Sequence, residues 1–291
     1  MLNAEVRVTG NGARMRVRAA AVAGTWYPRT AGALTREVDA YVAGAEIEPA
    51  EGVRAIIAPH AGLMFSGPVG AYAYKAASRG TYDVAFLVGP SHFAAFDGVS
   101  VWPEGAFDTP LGPVEVDAAA AAALLRSPVA RDLPKAHQRE HSLEMQLPFL
   151  RRLLPDVPIV PVLMGFQRRA TIEALAELLV AAAGSRRALL IASTDLSHYF
   201  DARTAAELDG RVQARVERFD ADGFLELFET YPEGERGRYV ACGGGAAIAV
   251  MLAARRLGAT AGRVLKYAHS GEVTGDDDGV VGYLAATFDA R

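Results

Sequence analysis

The 291-residue chain has a single cysteine, Cys242, so no internal disulfide can staple it, and one thiol fits a reducing compartment. It also lacks any excess of positive charge. Thirty Lys and Arg against 34 Asp and Glu leave a net charge of −4, and no basic run interleaves with aromatics, which excludes the electrostatic footprint of a nucleic-acid binder. Long apolar runs are missing too, because Gly, Pro or a charge interrupts each stretch short of the ~20 residues of a membrane span. The apolar patch at 19–24, behind Arg14, Arg16 and Arg18, is shorter than the ~7–15 residues of a secretory signal core. The expectation is a cytoplasmic protein that engages neither nucleic acid nor membrane, with oligomerisation left open. No Ser- or Pro-rich linker and no fixed-period repeat divides the chain, and 51% hydrophobic residues suffice for one large core. A single domain over residues 14–291 is therefore expected, behind a flexible tail at 1–13 that is polar and has no periodicity.

What is present is an alternation of short apolar runs and helical patterns. Val53 to Ala58, Val84 to Val88, Ile159 to Met164 and Ala188 to Ala192 read as buried strands, and Tyr283 to Phe288 as a last strand. Helical spacing runs through residues 67–77, 117–125, 143–154, 170–183, 202–219 and 246–257. Residues 99–116, rich in Pro and Gly among β-formers, read as an irregular hairpin. The fold class is α/β: a mixed central sheet flanked by helices.

In open α/β sheets ligands bind beyond the carboxyl ends of the strands. There the chain reads Pro59-His60-Ala61-Gly62, Gly89-Pro90-Ser91-His92 and Ser193-Thr194-Asp195-Leu196-Ser197-His198, so three of its six histidines follow three strands at one edge. Any one of them alone is best explained as a cap or a packed loop residue, but the trio points to a site. Two imidazoles and an anion make a mononuclear metal centre with open positions, and the anion candidates are Asp195, Glu140, Glu144 and Cys242. Cys242 precedes Gly243-Gly244-Gly245 and a helical pattern, a position at a helix N-terminus that favours thiolate. Two other patterns carry less. His137-Gln138-Arg139-Glu140-His141 matches the H-x-x-E-H string of inverted zincins but follows Leu133-Pro134-Lys135 instead of lying within a helix, so it is expected to be accidental as a zinc site. Asp276-Asp277-Asp278, between glycines, reads as a solvated turn.

Trp26-Tyr27-Pro28, Pro59-His60-Ala61-Gly62, Gly89-Pro90-Ser91-His92, residues 140–148 (EHSLEMQLP), Ser193-Thr194-Asp195-Leu196-Ser197-His198 and Ala241-Cys242-Gly243 together resemble the Memo family, whose prokaryotic members are called AmmeMemoRadiSam system protein B. The resemblance runs from about Arg18 to the C-terminus. It implies the fold of the LigB-type class III extradiol dioxygenases, which hold Fe(II) with two His and one Glu and use a further His as acid and base. Carried onto this chain, His60 and His92 are the metal histidines, Cys242 stands where the dioxygenases have Glu, and His198 is the acid/base with Asp195 to orient it. Trp26, His141, Glu144 and Phe65 would contact substrate. Thiolate is softer than carboxylate and suits Cu(I) or Zn as well as iron, and Phe65 replaces a Tyr of many relatives, removing any role for that hydroxyl. The resulting expectation is an Fe(II)-dependent, dioxygenase-like oxidoreductase that takes O₂ and a small aromatic substrate. A non-catalytic metal-binding interaction protein and a Cys242/His198/Asp195 hydrolase are the alternatives.

Overall fold

A computed structural model describes residues 5–8 and 14–290. The strands are β1 (Glu5–Val8), β2 (Arg14–Arg18), β3 (Val53–Ala58), β4 (Val84–Pro90), β5 (Val99–Val101), β6 (Ala106–Phe107), β7 (Val114–Glu115), β8 (Ala130–Arg131), β9 (Ile159–Met164), β10 (Ala188–Ser193), β11 (His198–Phe200), β12 (Ala261–His269) and β13 (Val280–Asp289). The helices are α1 (Ala31–Gly44), α2 (Leu63–Ala77), α3 (Ala118–Leu125), α4 (Pro134–Gln138), α5 (Leu147–Leu153), α6 (Arg169–Ala183), α7 (Ala202–Glu217), α8 (Ala221–Glu229), α9 (Arg236–Tyr239), α10 (Gly244–Arg256) and α11 (Gly271–Thr274).

Four strands, β3, β10, β4 and β9, pair in parallel as the centre of a nine-stranded mixed sheet. The last three of these are buried at every position, as a parallel sheet covered on both faces requires. Antiparallel β13 closes one side of the parallel set and antiparallel β5 the other. Helices α1, α2 and α5 pack together, and α3, α6, α8 and α10 form a second group. The caps are local: Asp117, Asp201 and Asp220 each accept a backbone N–H from the first turn of the helix that follows. Among the described residues no helix is long and apolar enough to cross a membrane.

The architecture is the expected mixed α/β fold, with local corrections. Most of the expected tail at 1–13 lies outside the described residues, but Glu5–Val8 pairs antiparallel with β2 and is a strand. Residues 99–116 are not one hairpin. β5 joins the main sheet, while β6 and β7 pair with each other and extend a small sheet through β2. Helix α2 starts four residues before the expected Gly67 and carries Pro68 inside it.

The entry segment is fastened by one buried carboxylate. Glu144, fully buried, accepts from the Arg18 guanidinium, from the N–H of Ala21 and Val22 at 2.8 and 3.0 Å, and from the Tyr27 hydroxyl at 2.6 Å. Arg18 also donates to the carbonyls of His137 and Glu140. Removing one member of such a pair strands the other charge away from water, so Glu144→Ala is expected to lower stability by about 3–5 kcal/mol. Denaturant unfolding measures this, and a near-neutral change would show that the pair does not anchor the segment.

Candidate metal centre

Because β3, β10 and β4 are neighbours running in one direction, their carboxyl ends lie side by side, which brings the loops carrying His60, Asp195 and His92 to one edge. The fourth contributor, Cys242, arrives on the residue before Gly243, the N-cap of α10. A Cβ on Gly243 would lie 2.4 Å from the Ser193 carbonyl oxygen, so only glycine lets this helix end approach the strand ends so closely.

The ligand atoms of His60, His92 and Cys242 lie within 4.8 Å of one another. Sγ of Cys242 is 3.2 Å from Nε2 of His60 and accepts the Asp195 N–H at 3.3 Å. Each imidazole is fixed from behind through Nδ1. For His60 the tautomer follows from a chain of donors: Ser193 Oγ donates its one hydrogen to the Ser142 carbonyl at 2.6 Å. It therefore accepts from Nδ1–H of His60 at 2.9 Å, leaving the Nε2 lone pair for the centre. Gln146 Nε2 donates to the same Ser193 oxygen and to the Pro59 carbonyl, while its Oε1 accepts from the Tyr74 hydroxyl. For His92, Nδ1 lies 2.8 Å from Oε1 of Glu140. Two Nε2 donors and a sulfur, with both Nδ1 atoms held, form a set that fits a mononuclear metal ion.

Glu140 is a hub, and its carboxylate also lies within 4.8 Å of ligand atoms of His92 and His141 as a second group that could hold an ion. It accepts the N–H groups of His92, His141 and Ser142 besides the His92 ring. Burial pushes its carboxyl up, but the His92 hydrogen bond and charge and the backbone donors outweigh it, bringing it down to about 2. Burial likewise opposes charge on His92, yet hydrogen bonds to Cys242 and Glu140 and their charges push it up to about 10. The Cys242 thiol is raised by burial and lowered more by the charge and hydrogen bond of His60 and by His92, reaching about 6. The two shifts have one cause: the Cys242 sulfur and the His92 ring each favour the charged form of the other.

A third imidazole, His141, stacks on His92 with ring centroids 4.5 Å apart and meets Trp26 at 4.3 Å, His60 at 5.6 Å and Phe93 at 5.8 Å. Burial, then the charges of His60 and His92, hold it down at about 3, so it is neutral near pH 7. His141 and Trp26 thus stand against the metal donors, and Phe65 is half-buried on the first turn of α2. Glu144 does not belong with them, since its oxygens are taken by Arg18, Tyr27 and two backbone donors. His198 is half-buried at the start of β11 and outside the donor group. Asp195 was expected to orient the His198 ring, but among the described residues Nδ1 of His198 is buried without a partner, and Asp195 Oδ1 accepts the His60 N–H at 2.7 Å. Asp195 holds the His60 turn and reaches His198 through charge alone. His137 is buried in α4, with Nε2 3.0 Å from Ser100 Oγ, and takes no part in the cluster. Asp276 accepts the Asp278 N–H in an exposed turn, as expected.

Sequence reasoning missed Ser193, Gln146 and the hub role of Glu140. Ser193 and Gln146 lay inside two of the recurring motifs, but which imidazole each supports depends on pairing between distant strands.

Comparison with known proteins bears on the whole chain. Residues 18–287 match the Memo-like protein family. A MEMO1 family protein of Methanopyrus kandleri is 40% identical over 238 residues, covering 80% of this chain and 82% of its own length. One from Methanothermobacter thermautotrophicus is 37% identical over 278 residues, covering 92% and 98%. The crystal structure of an uncharacterized protein from Escherichia coli K12 shares the fold with a TM-score of 0.57 at 13% identity, over 81% of this chain and 99% of that one.

Two outcomes are expected from the centre itself. Ser193→Ala frees the His60 ring, and metal affinity should drop by roughly 10–100-fold, measured by competition with a chromophoric chelator. In metal-free protein the Cys242 thiol, lowered to about 6, is thiolate above that pH and protonated below it, so alkylation by iodoacetamide should rise through about pH 6. A midpoint near the ordinary ~8.5 would remove the imidazolium partners from the account.

Proposed function

The chain belongs to the Memo family, and from that premise we propose that it is an Fe(II)-dependent, dioxygenase-like oxidoreductase acting on a small aromatic substrate with O₂ in a reducing, cytoplasmic setting. The observation that carries this is the meeting of His60 Nε2, the His92 ring and Cys242 Sγ with both Nδ1 atoms held from behind. Three protein donors leave coordination positions for other ligands. His60, His92 and Cys242 would hold the iron, which would supply Lewis-acid and redox chemistry toward a diol and O₂.

The remaining steps are assigned to the chain's own side chains. Trp26, Phe93 and the neutral His141 form an aromatic wall beside the donors, and Trp26 and Phe93, 37% and 51% exposed, leave ring faces open to a flat apolar ligand. His198 takes the proton that a hydroxyl releases on binding and returns it later, a task for a histidine near neutral pH. Asp195 keeps the His60 main chain in place, and burial pushes its carboxyl up. Cys242 remains thiolate under the helix end and the Asp195 N–H.

Protein purified without oxygen should carry about one iron per chain, and oxygen uptake should appear with some member of a panel of catechols and related diols. Stoichiometric metal with no uptake across the panel would favour the non-catalytic metal-binding reading. Cys242→Ala should lose the metal, whereas His198→Ala should keep it and abolish turnover. If His198→Ala empties the centre instead, His198 is a ligand, the open-position scheme fails, and a structural metal is the better account.

A further inference from the structure

Among the described residues only two other than glycine hold a positive φ, Phe219 at 52° and Tyr199 at 64°. For a bulky side chain that conformation is strained, and its surroundings must hold it. Phe219 is explained by its place. It is the second residue after α7, where left-handed residues end helices, and its ring is buried against Phe288 with centroids 4.8 Å apart. Tyr199 has no such burial: its side chain is 70% exposed, and its one ring contact among the described residues is with the neighbouring His198. The strain comes from its flanks. His198 pairs with Val281 and Phe200 with Val280, so two steps along β11 answer one along β13, and Tyr199 is the extra residue of a bulge. Phe200 is held further by Tyr239, with ring centroids 5.0 Å apart. Successive side chains of a regular strand point to opposite faces, yet the His198 and Tyr199 rings lie 5.7 Å apart. The bulge has turned the Tyr199 ring to the side of His198.

The sheet order places that ring relative to the donors. Neighbouring strands run β11-β13-β3-β10-β4, so Tyr199, in β11, and Phe93, after β4, lie on opposite flanks of His60, which follows β3. We propose that Tyr199 is a substrate-contacting residue whose ring covers the aromatic substrate from the flank opposite Phe93 and His141. The inference rests on the aromatic-substrate reading given above and adds a second face to the one wall described there. An exposed tyrosine on a relaxed backbone needs no ligand. One that a bulge holds open at a strained φ, beside the histidine assigned to proton transfer, matches the pattern of strain kept at binding sites, and a flat ring stacked on it supplies the packing that the fold does not.

The test is absorbance titration of nitrocatechol into full-length, metal-loaded protein without oxygen, alongside urea unfolding of the same variants. The wild type should bind saturably. Tyr199→Gly should keep its metal and weaken binding about three- to tenfold, while Tyr199→Phe, which retains the ring face, should stay within about twofold. Glycine adopts a positive φ without strain, so Tyr199→Gly should also hold or raise the unfolding midpoint. Weaker binding at undiminished stability distinguishes a ligand contact from a packing residue. If the wild type binds no nitrocatechol, the aromatic-substrate reading fails and the proposal falls with it. If the wild type binds and Tyr199→Gly binds equally well, or its midpoint drops, the proposal alone fails. Equal losses in Tyr199→Phe and Tyr199→Gly would assign the effect to the hydroxyl and overturn the stacking role.

Discussion

A hydroxyl carries one hydrogen, and Ser193 gives its hydrogen to the Ser142 carbonyl. Much at the centre depends on that choice. With its donor spent, the oxygen accepts from His60 and from Gln146, and the imidazole is left with its lone pair on the nitrogen nearest Cys242. The same oxygen ties the end of β10 to the loop before α5 and to the turn after β3. A single small side chain therefore sets both the chemistry of one ligand and the relative placement of three segments.

The segment 140–144 divides its two carboxylates between unlike tasks. Glu140 spends its oxygens on the His92 ring and three backbone donors, which fixes a ligand and a turn together. Glu144, four residues on, holds the entry strand through Arg18 and Tyr27. The two networks are joined by Arg18, which donates to the Glu140 carbonyl as well as to Glu144. Anchorage of the N-terminal segment and orientation of His92 are thus parts of one polar lattice, and the His141 ring lies between it and Trp26.

The strand ends were readable from the chain because apolar runs stop abruptly at Pro59, Pro90 and Ser193, and the rule for parallel sheets then puts His60 and His92 at one edge. Cys242 was readable from the glycines behind it. What was not readable depended on pairing between distant elements. β12 has only moderate burial and few apolar alternations, so it shows no strand period until it lies against β13. Glu144 stands beside the site in sequence, yet its side chain is claimed by Arg18, 126 positions earlier, and no local pattern announces that. Asp195 was expected to face His198 because they share a loop. The nearer demand was the bare His60 N–H across the β3–β10 pair.

The sulfur and the His60 nitrogen are separated by 182 residues of chain. At roughly 5–20 residues per second, synthesis leaves a delay on the order of ten seconds or more during which the histidines have emerged and the cysteine has not. Throughout that interval the imidazoles and the Glu140 carboxylate are on hand, but the sulfur is not. The set is complete only when α10 is docked with Gly243 against the strand ends. An ion held by all three donors would fasten the final third of the molecule to the first and act as a clasp on the finished fold, so stripping it would loosen the C-terminal third before the central strands.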